Sequence, residues 1–235
     1  MDLILHLLEQ LKTLTIQELF LIFLLENGSI IVLSVLVGFI LDKTISSLWL
    51  KISRTELLWT ISTLFLNTLI TMLGFLLYKY GIVVFSFDTT ILSIIIDTLL
   101  LIIAMDFLMF VFHYLIHNIA FIKKIHELHH QYKDPTAVTL YVLHPIEVIG
   151  FGSLWLSLII LYKSSIIAVF VYLFLNIIMG MIGHLEIEVI PRSWSKNFVM
   201  KWIADTTFHN DHHKDPTHNY GFYTSLWDKL FRTLK

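Results

Sequence analysis

The chain has 235 residues, 57% of them hydrophobic and 14% charged, where soluble domains average roughly 45–50% and 25%. With a mean hydropathy of +0.78, this excludes an ordinary water-soluble domain. A formal net charge of −2 without a basic block gives no footprint for nucleic acid, and the absence of Cys excludes disulfides and thiolate-held metals.

The N-terminus, Met1-Asp2-Leu3, lacks a basic start, and no small-residue cleavage site follows, so no cleavable signal peptide is expected. A spanning helix needs roughly 20 apolar residues. The candidates are Leu19–Leu41, Leu57–Leu77, Ile91–Leu115, Ile146–Leu161 and Ile166–Ile182. Glu26-Asn27-Gly28-Ser29 interrupts the first, which is read either as one span or as two segments. The fourth is short, and only Tyr162–Ser165 separates it from the fifth. The pair reads as a tight helical hairpin, fully crossing or re-entrant.

Cations assign the sides. Lys43, Lys51 and Arg54 lie between spans one and two, and Lys123, Lys124 and Lys133 follow span three. Arg192, Lys196, Lys201, Lys214, Lys229, Arg232 and Lys235 follow span five, while the loop before span three has only Lys79. Cytoplasmic loops carry the excess of Lys and Arg, so the 43–54 loop, the 118–145 segment and the tail are expected in the cytoplasm. From Glu186 to Lys235 the chain turns polar, aromatic and His-rich. The expectation is an all-α integral membrane bundle of about four to five transmembrane or re-entrant helices. A cytosolic helical cap would hold a metal site. Residues 1–100 are expected to form an N-terminal transmembrane region and 101–235 the region that carries the site, within a single fold.

Twelve His stand in the chain, and eight fall into three boxes. His113 and His117 form HxxxH at the end of span three. His126, His129 and His130 form HxxHH, as do His209, His212 and His213. Residues three and four apart on a helix share a face, so each box is expected to present two or three imidazoles to one point. Without Cys, any metal must be held by imidazole and carboxylate, which suits Zn or Fe. Eight imidazoles exceed the needs of one tetrahedral ion and suffice for two metals with positions left open. His6 and His218 lie outside the boxes and are read as ordinary histidines.

Asp106 lies seven residues before His113. A carboxylate inside a span is costly and marks function. It is read either as a supporting residue of the catalytic centre that accepts a ring N–H, or as a group that bonds a neighbouring span and only supports packing.

The boxes occur within "IKKIHELHHQYKDPTA", "HPIE", "GHLEIEVIP" and "FHNDHHKDPTHNYGFYTSLWDKLFRT". Together these resemble the sterol desaturase and fatty acid hydroxylase superfamily from about Asp106 to Thr233. The "HPIE" and His184-x-x-x-Glu188 stretches look like its 4-methylsterol oxidase branch, with Gly183 replacing the usual Asn. The resemblance implies two iron ions held by His113, His117, His126, His129, His130, His209, His212 and His213, with His184 as a ninth ligand. His144, in the His-Pro turn, is a further candidate or simply ends its loop before Pro145. The resemblance also implies O2 as co-substrate and a membrane lipid whose unactivated C–H bond is hydroxylated. Electrons would come from a separate cytochrome b5- or ferredoxin-type donor with its reductase, since no flavin or nicotinamide fingerprint is present. Tyr132, Tyr141, Trp202, Tyr220 and Trp227 are candidates to wall the site, or for packing.

Three other readings compete. A lipid desaturase would use the same site. A His-rich metal transporter would spread ligands near the bilayer midplane. A non-catalytic lipid-binding relative would show broken boxes. A sterol, a fatty acyl chain, a carotenoid and an ether lipid all remain open as substrate.

Overall fold

A computed structural model describes residues 1–46, 52–185, 187–191, 193–194, 197–198 and 200–235, without the side chains of 43–46. The side chain of Lys43 and the whole of Lys51, Glu186, Arg192 and Lys196, used above to assign sides and the start of the cap, therefore lie outside what is described.

Among the described residues the regular structure is helical, apart from the bridge pairs Ser86–Ser165 and Ile203–Thr224. The helices are α1 (Asp2–Thr13), α2 (Ile16–Ser46), α3 (Arg54–Lys79), α4 (Ile91–Asn118) and α5 (Ala120–His130). They continue as α6 (Pro145–Leu161), α7 (Ile166–Gly183), α8 (Thr206–Lys214) and α9 (Leu226–Phe231). Short 3₁₀ turns occupy Thr139–Tyr141 and Met200–Trp202. Four stretches are long and apolar enough to cross a membrane: Ile16–Asp42, Arg54–Lys79, Ile91–Asn118 and Ile166–Gly183. The shorter α6 has 17 residues.

Local signals explain the helix starts. Ser53 and Glu56 close a capping box on α3, satisfying two backbone N–H groups that a helix start leaves open. Pro145 opens α6, where its missing N–H costs nothing. Asp205 accepts from Phe208 N at 2.8 Å and starts α8.

The Glu26–Ser29 interruption does not split the first span. α2 runs unbroken because its polar side chains bond within the bundle. Asn27 donates to the Phe23 carbonyl at 2.9 Å and to Thr71 on α3 at 3.3 Å. Ser29 donates to the Leu25 carbonyl at 2.7 Å.

α2 packs on α3, α3 on α6, and α4 on both α6 and α7. The α6–α7 hairpin is as short as expected. Its turn is tied to α4 by Asp97, which accepts from the Tyr162 hydroxyl and Ser165 N, each at 2.6 Å. One face of α4 supplies the core, where Leu101, Met105 and Met109 meet Ala168, Val169, Tyr172 and Tyr223. The outer faces stay apolar, as with Leu25 (71% exposed), Leu58 (66%) and Leu100 (46%). That surface suits lipid, because apolar area gains nothing by facing water. α5 packs on α4 and α6, and α8 on α7. α9 lies along α4, with Phe107 against Trp227 at 4.8 Å and Phe110 stacked on Phe231 at 5.3 Å.

Candidate metal centre

Nine imidazoles gather where α4 ends. They form two groups: His113, His117, His126, His130 and His212, and His129, His184, His209 and His213. All are buried except His130, which is partly buried. They come from α4, α5, the end of α7 and α8. Ligands strung along the spans, as transport requires, are not the pattern found.

The boxes do not each serve one point. Residues four apart stay together, as in 113/117, 126/130 and 209/213, while His129 and His212 cross to the other group. With 3.6 residues per turn, a residue four ahead is displaced about 40° around the helix. One three ahead is displaced about 60° the other way. The two displacements aim at different points once two ions lie side by side. The groups do lie side by side, with the His130 and His213 rings stacked at 4.7 Å.

Within the first group the Nε2 atoms approach closely: His113 to His126 at 3.1 Å, His117 to His113 at 3.2 Å, His130 to His126 at 3.1 Å, and His212 to His117 at 3.1 Å. In the second, His184 approaches His129 at 3.3 Å and His209 at 3.3 Å, and His213 approaches His209 at 3.1 Å.

The opposite ring atoms decide what these approaches mean. A carbonyl only accepts, so a ring nitrogen bonded to one carries the proton. His113 Nδ1 donates to the Tyr220 carbonyl at 2.9 Å and His212 Nδ1 to that of His218 at 2.6 Å. His184 Nδ1 donates to Gly180 at 2.9 Å, His213 Nδ1 to Tyr132 at 2.8 Å, and His129 Nδ1 to Val142 at 3.4 Å. His126 Nδ1 pairs with Glu147 Oε1. A neutral ring with its proton on Nδ1 carries a bare lone pair on Nε2. The Nε2 atoms of His129 and His184 thus face each other lone pair to lone pair, as do those of His113 and His126. Such pairs repel unless a cation stands between them. A metal–imidazole bond of about 2.0–2.1 Å places neighbouring ligand nitrogens roughly 3.0–3.4 Å apart, matching the separations seen. The residues fit two metal ions.

Electrostatics agree. Burial, reinforced by the neighbouring rings, holds His129, His209 and His212 well below the usual imidazole range. Burial lowers His184 to about 4, His213 to about 3 and His130 to about 2. All are neutral near pH 7, so their lone pairs are free to ligate.

Other expected residues fall differently. His144 lies in neither group. Its ring accepts from Ile146 N at 3.3 Å, caps α6 and sits 6.2 Å from the Trp59 ring. The rings of His6 and His218 also lie outside both groups.

Asp106 does not orient an imidazole, and this corrects the expectation. Its carboxylate accepts from Tyr223 N at 2.8 Å, Thr224 N at 3.2 Å, the Thr224 hydroxyl at 2.5 Å and Trp227 Nε1 at 3.0 Å. Seven residues amount to about 10 Å along a helix axis, which is beyond a carboxylate's reach to His113. Asp106 pins the C-terminal segment to α4.

Of the aromatic candidates, Tyr220 walls the first group, its ring 5.5 Å from His117, 5.6 Å from His212 and 5.8 Å from His113. Tyr132 contributes its carbonyl. Tyr141 bonds Ser34 on α2, Trp202 lies under Lys201 and Lys229, and Trp227 bonds Asp106.

The carboxylate that does meet a ligand ring is Glu147, fully buried. It also accepts from His144 N at 3.2 Å, completing a capping box. The His-Pro-x-Glu spacing carried this signal, because a Glu three residues after a helix cap folds back toward the preceding loop.

Comparison with known proteins gives the same region. The sequence model of the family described as fatty acid hydroxylase matches residues 98–233, more than half of the chain. A C-4 methylsterol oxidase of Schizosaccharomyces pombe is 25% identical over 126 residues, 52% of this chain and 41% of its own length. A methylsterol monooxygenase of Aspergillus fumigatus is 30% identical over 118 residues, covering 47% and 38%. A lathosterol oxidase of Mus musculus is 27% identical over 135 residues, covering 55% and 42%. The chain thus matches less than half the length of these relatives. No solved structure matches it.

Proposed function

The chain belongs to the fatty acid hydroxylase family, and from that premise we propose that it is a membrane-bound di-iron oxygenase that hydroxylates an unactivated C–H bond of a lipid. The convergence of Nε2 lone pairs in two adjacent groups is the observation that carries this reading. Sterol oxidases among the relatives favour a sterol-like substrate over other lipids.

The proposed ligands are His113, His117, His126, His130 and His212 for one iron and His129, His184, His209 and His213 for the other. Bound there, iron supplies reductive activation of O2 and attack on carbon. The chain's own groups do the rest. Carbonyls and Glu147 hold protons on Nδ1 and so keep Nε2 deprotonated. Burial excludes water from the reacting centre. A small cleft lined by Met179, Gly180, Gly183 and Phe222 reaches His184 and His209 and is the approach for the reacting carbon. Electrons come from a separate donor of cytochrome b5 or ferredoxin type. In this reading residues 1–100 anchor the protein and 101–235 carry the chemistry.

The centre faces the cytoplasm, since Lys123, Lys124, Lys133, Lys201 and Lys214 flank it. Cys introduced at the exposed Lys133 and Lys214 should react with an impermeant thiol reagent only after the cytoplasmic face is opened. Labelling from outside in intact cells contradicts that orientation. To test the function, cells producing the chain are given isotopically heavy dioxygen and their lipids are weighed by mass spectrometry. A lipid gaining one heavy oxygen, absent with His212→Ala, is the expected product. Loss of two hydrogens without oxygen would assign desaturation instead.

A further inference from the structure

Two ligands of the five-imidazole group take their orientation from one short loop, and that loop is unusually constrained. The His218 carbonyl receives His212 Nδ1 and the Tyr220 carbonyl receives His113 Nδ1. These carbonyls flank Asn219, whose φ is 59°. An L-residue rarely adopts this left-handed conformation, and Asn tolerates it better than most. Asn219 is 2% exposed and bonded on every side. Its N–H donates to the Thr233 carbonyl at 2.9 Å, and its Nδ2 donates to that of Phe208 at 3.2 Å. Its Oδ1 accepts from Lys235 N at 2.9 Å.

Beyond it, the fully buried Asp228 clasps the loop. One carboxylate oxygen accepts from Tyr220 N at 2.7 Å and the Thr233 hydroxyl at 2.7 Å, and the other from Gly221 N at 2.7 Å. The fit leaves no room for a side chain at Gly221, where a Cβ would stand 2.2 Å from the Thr224 carbonyl oxygen and 2.8 Å from Asp228 Oδ2. Among the described residues, no ring nitrogen of the four-imidazole group bonds to a carbonyl of this loop. His184 is anchored by Gly180 of its own helix, His129 by Val142 and His213 by Tyr132.

We propose that Asp228 and Asn219 are positioning residues for one metal of the pair: they hold the His218 and Tyr220 carbonyls as the two acceptors that keep His212 and His113 protonated on Nδ1 and aimed at the five-imidazole ion. Neither residue touches the metal, and each acts through the peptide groups between them. The inference rests on the metal-centre reading above. It adds a division of labour, in which this loop serves one ion and not its neighbour.

The test uses full-length, iron-free protein in detergent, titrated with Co(II) and followed by visible absorption, with helical circular dichroism as the check on folding. Wild type should bind two Co(II) per chain. Asp228→Asn presents an N–H₂ group to backbone donors and turns the loop. One of the two affinities should then fall by about 10–100-fold, the usual size for a group that orients a ligand, while the other stays and helicity is kept. A purely structural role would lower the unfolding temperature and leave both affinities equal to wild type, or lower both together. Either result overturns the inference.

If Asp228→Asn does not fold, Asn219→Gly and Asn219→Val decide. Glycine adopts a positive φ freely and should keep both ions, whereas a β-branched residue cannot and should weaken one. Equal affinities in the two variants overturn the inference. Wild type that binds no Co(II) overturns the metal centre itself, which separates the two failures.

Discussion

The two imidazole groups draw on the same boxes and are held in place by different means. In the four-imidazole group His184 leans on Gly180 one turn below it on α7, His129 on Val142, and His213 on the Tyr132 carbonyl 81 positions away. In the five-imidazole group His126 meets Glu147 at the start of α6, while His113 and His212 both lean on the short C-terminal loop, at the Tyr220 and His218 carbonyls. Both groups need α8, but only the five-imidazole group has rings bonded to the 218–220 carbonyls, so damage to that loop should fall on one ion first.

The largest expected effect comes from removing a ligand. His212→Ala takes a ring from the first group and His129→Ala one from the second. Either should abolish turnover, and metal content measured per chain should fall by about half, because binding needs the deprotonated ligand set. Full activity in either variant breaks the two-group assignment.

Next stands Glu147→Gln, which keeps the size but loses the carboxylate paired with His126. Metal affinity in the five-imidazole group should drop roughly 10–100-fold, with the other group unaffected in a Co(II) titration. Equal weakening of both would erase the distinction.

Asp106→Asn probes the docking. It leaves the Trp227 indole N–H or the Thr224 hydroxyl facing an N–H₂ group. The cost should be about 1–3 kcal/mol, as for an unsatisfied buried group. Thermal unfolding in detergent should show a lower midpoint with a partial loss of turnover. An unchanged midpoint would mean the clamp does not hold the segment.

The smallest effect belongs to His144→Ala. Loss of the cap should cost about 1 kcal/mol, read by the same melt, with metal content at the wild-type level. A loss of metal would return His144 to the ligand set.

Much of this was legible in the sequence. The apolar runs predicted the spans because burial in lipid requires them. The His boxes predicted a metal centre because spacings of three and four share a helix face. How the boxes divide was not legible, because it depends on where two points lie relative to three separate helices. Asp106 was misread for a related reason. Its i−7 spacing shows a shared face but also about 10 Å along the axis, and the donors it meets lie 117 to 121 residues away. Glu147 was visible as a capping signal at a helix start, and only the folded chain brings His126 to it. Asp228 was not singled out from the sequence, since nothing local shows that it is buried.

The central claim is that nine converging imidazoles hold two irons side by side. Elemental analysis of protein purified from iron-replete cells tests it most directly. About two irons per chain are expected from the two ligand groups; iron near zero in a preparation that still oxidises its lipid would contradict the account.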